Sequence, residues 1–121
     1  MQEYVAVIGD EAVISMTVHE GASVVRLRGD LGEDSAPGLA QAFAAAVTQG
    51  ASRTVVDLSQ AEFADSSVLH ALLDARKAHK AAGVALVLAG PLQVAIRRLF
   101  EVTGTATAFH MTDSLESALT C

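Results

Sequence analysis

Two apolar runs, RTVVDL at 53–58 and VALVLAG at 84–90, are each followed by a segment that repeats with a helical period. A short run of β-branched and aliphatic residues, without regular polar alternation, suits a strand covered on both faces. Strands of that kind joined through helices run parallel, and their crossovers close in the right-handed sense. This feature points to a small α/β sheet, and the rest of the chain can be placed around it.

Upstream, VISMTV (13–18) and SVVRLRG (23–29) read as strands, and HEGA between them, with Gly21, reads as a hairpin turn. Val25 and Leu27 alternate with Arg26 and Arg28, the period of a half-covered strand. In GEDSAPGLAQAFAAAVTQG, Asp34 or Ser35 can cap a helix and Pro37 stands where a first turn tolerates it. Leu39, Phe43 and Val47 recur every four residues, and Gly50 is the stop. In the segment 60–83, Leu69, Leu72 and Leu73 form one helix face, opposite most of Asp74, Arg76, Lys77 and Lys80, and Gly83 ends it. Pro91 is read as opening a third helix, LQVAIRRLFEVTG, with Val94, Leu99 and Val102 among its apolar residues and Gly104 as its stop. TATAFHM is a weak strand, and DSLESALT starts a last helix at Asp113, with Glu116 three residues on as in a capping box. The expected fold is α/β: a small mixed sheet of four to six strands, with about four helices packed mainly on one face. Residues 1–12 either add a strand or lie loose, and both readings stay open.

A length of 121 residues suits one domain, 1–121. The net charge of −6 and the lack of a basic run argue against nucleic acid and against an anionic membrane surface. The only cysteine is Cys121, so no internal disulfide can form. No apolar stretch approaches the roughly 20 residues of a membrane span, and the first residues do not have the form of a secretory signal. The chain reads as soluble and cytoplasmic.

The chemistry concentrates in QAEFADSSVLH, where Asp65 precedes Ser66 and Ser67 at a helix start. The plain reading is capping, because Asp and Ser satisfy the free N–H groups of a first turn. The sharper reading is a switch, because a helix N-terminus also favours a phosphate, and a phosphate adds roughly −2 of charge beside Asp65 and Glu62. His70 lies four residues after Ser66 and could share its face, but nothing marks a third partner for a hydrolytic triad. His19, His70, His79 and His110 form no pair with ligand spacing, so neither a catalytic nor a metal site is expected.

In order along the chain, VVRLRGDL, VVDLSQAEFADSSVLHALL, GVALVLAGPLQVAIRRLFEVTG and DSLESAL resemble the segments of the STAS domain family, in particular the small bacterial anti-sigma factor antagonists. The resemblance spans about 13–119. It implies a STAS fold and a non-enzymatic partner switch. The unphosphorylated protein would bind an anti-sigma factor serine kinase and free the sigma factor. Phosphorylation of Ser66 would end the complex, and a serine phosphatase would reverse it. Asp65 would be the preceding acid, and Asp30, Asp65, Ser67, Val68 and His70 would form the partner surface, with Asp30 in a loop. ATP and its metal would belong to the kinase, so no cofactor is expected. Two positions depart from the family pattern. Val68 stands where Gly is common, and its side chain is expected to fill room for a partner's backbone. Gly32 stands where an acid is common. The alternatives are a non-switching STAS subunit of another regulatory or transport-associated assembly, and a nucleotide-binding module, which the lack of a phosphate loop disfavours.

Overall fold

The computed structural model describes residues 3–8 and 12–120. Six strands form one sheet in chain order: β1 (Glu3–Ile8), β2 (Ala12–His19), β3 (Ala22–Leu31), β4 (Arg53–Ala64), β5 (Ala85–Ala89) and β6 (His110–Thr112). The first three are antiparallel and the last three join β3 in parallel, so the sheet is mixed. At the N-terminus, residues 3–8 form β1 and pair with β2. Cys121 lies outside the described residues.

The β2–β3 hairpin closes through Glu20 and Gly21, both at positive φ (51° and 81°), the two-residue turn that matches strand twist. Four helices follow: α1 (Ala36–Thr48), α2 (Ser66–Ala82), α3 (Val94–Thr103) and α4 (Leu115–Thr120). Because β3 to β6 advance in one direction across the sheet, each right-handed crossover puts its helix on the same face. α1, α2 and α3 accordingly share one core with that face, built on residues such as Val25, Leu27, Val56, Leu39, Leu72 and Phe100. α4 follows the last strand and is bound by no crossover. It packs on the other face, where Ala118 meets Val55, Val87 and Ala89.

Several boundaries differ from the sequence reading. β4 continues six residues past Leu58, and its register against β3 slips twice, opposite Arg26/Arg28 and Gly29/Asp30. Each slip inserts an extra residue and reverses which face the next side chains meet, so the apolar period disappears from the sequence. α3 begins at Val94 and not at Pro91, which sits in the preceding loop. The last helix is capped by Ser114, whose hydroxyl accepts the Ser117 N–H at 3.1 Å, one residue later than the expected Asp113 start. Within α1, Ala46 is buried and Val47 only half-buried. The TATAFHM segment divides into a 3-10 turn (Ala106–Ala108) and the first two residues of β6, which ends at Thr112.

One polar cluster lies in this core. His79 of α2 is buried, its Nδ1 2.7 Å from Ala75 O and its Nε2 2.9 Å from the hydroxyl of buried Thr54. The Ala75 carbonyl can only accept, so Nδ1 carries the proton and Nε2 accepts from Thr54. Burial pushes the His79 pKa below its ordinary value, and the bond to Ala75 O offsets part of that.

Two outcomes follow for stability. Leu72 is fully buried, so Leu72→Ala should cost about 2–5 kcal/mol in a denaturant titration, whereas Arg76→Ala on the exposed face should stay within about 0.5 kcal/mol. His79 binds its proton less readily in the folded state than in the unfolded chain. Stability should therefore fall as pH drops below about 6.5, the unfolded value, and keep falling toward the folded one. Urea midpoints between pH 7.5 and 5.5 should slope downward for the wild type, and His79→Leu should flatten that slope whatever its own stability.

Candidate functional site

The parallel strands end where α1 and α2 begin, and two chain reversals meet there. β3 delivers Asp30 and Leu31, then Gly32 and a 3-10 turn (Glu33–Ser35) lead into α1. β4 delivers Phe63 and Ala64, then Asp65 leads into α2. The pairing of Asp30 with Phe63 and of Leu31 with Ala64 brings the two reversals side by side.

Asp65 is the N-cap of α2, with extended backbone. Its Oδ1 accepts the Ser67 N–H at 2.9 Å and the Val68 N–H at 3.4 Å, and also the Ser67 hydroxyl. The Asp65 N–H donates to Leu31 O at 3.3 Å. The Ser67 hydroxyl does most to hold the Asp65 carboxyl below the usual carboxylate range. Partial burial opposes it, and the N–H groups of Val68, Ser67 and Glu33 add to the lowering. Gly32 lies against this carboxylate: a Cβ there would stand 3.5 Å from Oδ2.

The two serines have different roles. The hydroxyl of Ser67 is engaged by Asp65. Ser66 is the first residue of α2 and exposed, and among the described residues its hydroxyl has no partner. His70 is exposed one turn on, beside Ser67 and Asp74 in a shallow groove between α1 and α2. No hydrogen bond joins it to Ser66 among the described residues, so the pair lacks the first contact of a hydrolytic relay.

Two expected site residues lie elsewhere than the sequence suggested. Val68 is 1 % exposed and belongs to the core, because the position three residues into a capped helix faces the sheet. Its side chain fills interior space. Asp30 is exposed as expected but sits in the last pair of residues of β3, not in a loop. The other expected residues, Asp65, Ser66, Ser67 and His70, all lie within the entry of α2.

A second groove, of about 950 Å³, opens on the other side of Asp65, between the end of β4 and α3. Val94 and Val102 line it, and so does Phe63. The sequence reading counted the two valines only as apolar residues of a helix. Their spacing from Ile96 and Phe100 held the signal: 94, 98 and 102 recur every four residues on the side of α3 away from the buried pair 96 and 100. Among the described residues no cluster of His, Cys, Asp and Glu is arranged to hold a metal, and no helix is long and apolar enough to cross a membrane.

A family model describing the STAS domain matches residues 13–118. Among curated proteins, none matches the chain by sequence. Among solved structures, an anti-sigma factor antagonist from Mycobacterium paratuberculosis is 26 % identical, with a TM-score of 0.76 over 98 % of this chain and 92 % of that one. The anti-sigma factor antagonist SpoIIAA in its unphosphorylated form is 20 % identical and matches with a TM-score of 0.71 over 86 % of this chain and 91 % of its own. SLC26A9 is 14 % identical, and 23 % of its chain aligns with 98 % of this one at a TM-score of 0.65.

The cap is testable by itself. Asp65→Ala should cost about 0.5–2 kcal/mol, the usual range for a lost N-cap. Asp65→Asn should keep an acceptor and lose less. The folded pKa of Asp65 is depressed, so the stability its ionised form adds is present above the unfolded value of about 3.9 and is lost as pH falls through the folded one. The gap between wild type and Asp65→Asn should therefore close below that range in acid titrations followed by circular dichroism.

Proposed function

The chain belongs to the STAS domain family, and from this we propose that it is an anti-sigma factor antagonist switched by phosphorylation at Ser66. The observation that carries the reading is the division of labour between the serines: Ser67 is committed to Asp65, while Ser66 presents a hydroxyl that is unpartnered among the described residues, at the first position of α2. The likeness to solved anti-sigma factor antagonists supports the same reading.

In the unphosphorylated form the protein would bind an anti-sigma factor serine kinase in the cytoplasm and so free the sigma factor. The partner surface would comprise the exposed Asp30, the Asp65–Ser67 entry of α2 and His70. The kinase would bring ATP and its metal. It would also have to supply the base for the Ser66 proton, because Asp65 is held ionised by several donors and takes a proton poorly. Phosphate on Ser66 would meet the N–H groups and positive dipole end of α2, so the fold would accept it. It would then face the phosphates of the kinase's spent nucleotide, like charge against like charge. The complex would fall apart, and a serine phosphatase would reset the protein.

The test uses Ser66 variants and a purified candidate kinase. Ser66→Ala should bind the kinase and resist release by ATP. Ser66→Asp should keep a wild-type spectrum and, with the spent nucleotide (ADP) held by the kinase, bind about a hundredfold more weakly, a loss of roughly 3 kcal/mol. Mass spectrometry after incubation with ATP should place the phosphate on Ser66. Phosphate on Ser67, or undiminished binding by Ser66→Asp, would return the pair to a helix cap and favour a non-switching STAS subunit.

A further inference from the structure

The pairing of β4 with β5 ends at Asp57 and Ala89, yet β4 runs on to Ala64. Past that point no strand among the described residues lies on the β5 side. The loop before α3 bridges the gap at one place, where Gln93 Nε2 donates to Ser59 O at 3.1 Å. The groove between β4 and α3 opens beyond this bond. The second slip in β4 register falls at Glu62 and turns Phe63 outward, while Ala64 returns to the core.

Phe63, Val94 and Val102 are 50 %, 75 % and 76 % exposed, and they are the exposed large hydrophobic residues among those described. All three line this one groove. A single surface valine is ordinary, but the convergence of every such residue on one concavity is not. The fold does not need them, because Ile96 and Phe100 already supply the buried face of α3.

The rim carries Glu62 and Asp65, with Arg98 as the cation of the lining. Asp30 stands opposite Phe63, and Glu33 opens the 3-10 turn beside Gly32, which lies against Asp65. The ion pairs of the described residues, Arg26–Asp57 and His19–Glu20, involve none of these carboxylates. An occupant that completes the surface therefore brings apolar side chains for the floor and a lysine or arginine for the acidic rim. The groove is continuous with the switch residue, because Asp65 lines it and Ser66 follows directly.

We propose that this groove is a docking site for a short apolar segment, flanked by lysine or arginine, of the same kinase that reaches Ser66. The inference rests on the proposed switch. It assigns affinity to the groove and release to the serine, so the two can be separated by mutation.

The test measures binding of the purified kinase that phosphorylates Ser66 to Val94→Ser/Val102→Ser, by titration calorimetry. Both positions are exposed, and a thermal melt checks that the fold is kept. The double variant should bind at least tenfold more weakly than wild type, and Glu62→Lys should weaken binding further at low salt than at high salt. Wild-type affinity in the double variant, together with loss of binding in Ser66→Asp, would overturn the docking site and leave the switch standing. A concentration-dependent dimer of the wild type that the double variant abolishes, seen by sedimentation, would give the groove to a second copy and overturn the inference.

Discussion

The carboxylate of Asp65 joins the parts on which the site depends. It accepts from the first turn of α2, and Gly32, at the turn that leads into α1, lies against it, while the backbone N–H of Asp65 holds the end of β3. Two crossovers are thereby tied at one point. The geometry of the end of the sheet follows from it: Gly32 is drawn against the carboxylate, Ser67 is turned inward, and Ser66 is left facing solvent. A group with this many donors is a strong acceptor and a weak base. Asp65 therefore serves as a fixed frame and not as an acid or base for the hydroxyl next to it.

α2 is held at its other end as well. His79 reaches Thr54 on β4, and Gly83 closes the helix in the left-handed conformation at φ 73°. The helix is thus anchored through side chains at both termini and through Val68, Leu69 and Leu72 between them. A change at Ser66 meets a rigid element, and interiors packed in this way do not deform continuously. On the proposed reading, charge added at the first residue would change the surface and not the position of the helix, which suits a signal read by contact.

The main architecture was legible because it rests on periodicity. RTVVDL and VALVLAG show as buried strands, and the hairpin shows through Gly21 and the alternation of Val25 and Leu27 with the two arginines. The α2 entry was legible too, since Asp and Ser at a helix start have few other uses. What stayed hidden depends on position in three dimensions. The slips in β4 erase its period after Leu58, so the wall that carries Phe63 could not be seen. Val68 looked like part of the partner surface because the sequence places it beside the serines, whereas helical rotation turns it to the sheet. His79 looked like one of four unremarkable histidines because its partner Thr54 lies 25 residues away. The groove escaped because an apolar residue on a helix is ordinarily assigned to the core.

The charge of the surface bears on the proposed cycle in a way that neither serine alone does. Asp30, Glu33, Glu62 and Asp65 make this end of the molecule acidic, and an acidic face attracts a basic one. A phosphate on Ser66 would by itself strengthen that attraction. Release on this reading would therefore require negative charge on the kinase side, and the spent nucleotide is where phosphoryl transfer would leave it. On the proposed reading, the acidic rim and the apolar groove favour encounter, while the opposition of phosphoserine and nucleotide favours departure. The two effects act at adjacent residues but through different physics. Attraction along the rim is screened by salt over about 10 Å, and repulsion across a desolvated contact is not. A surface built this way can bind its partner readily and still let go after a single transfer.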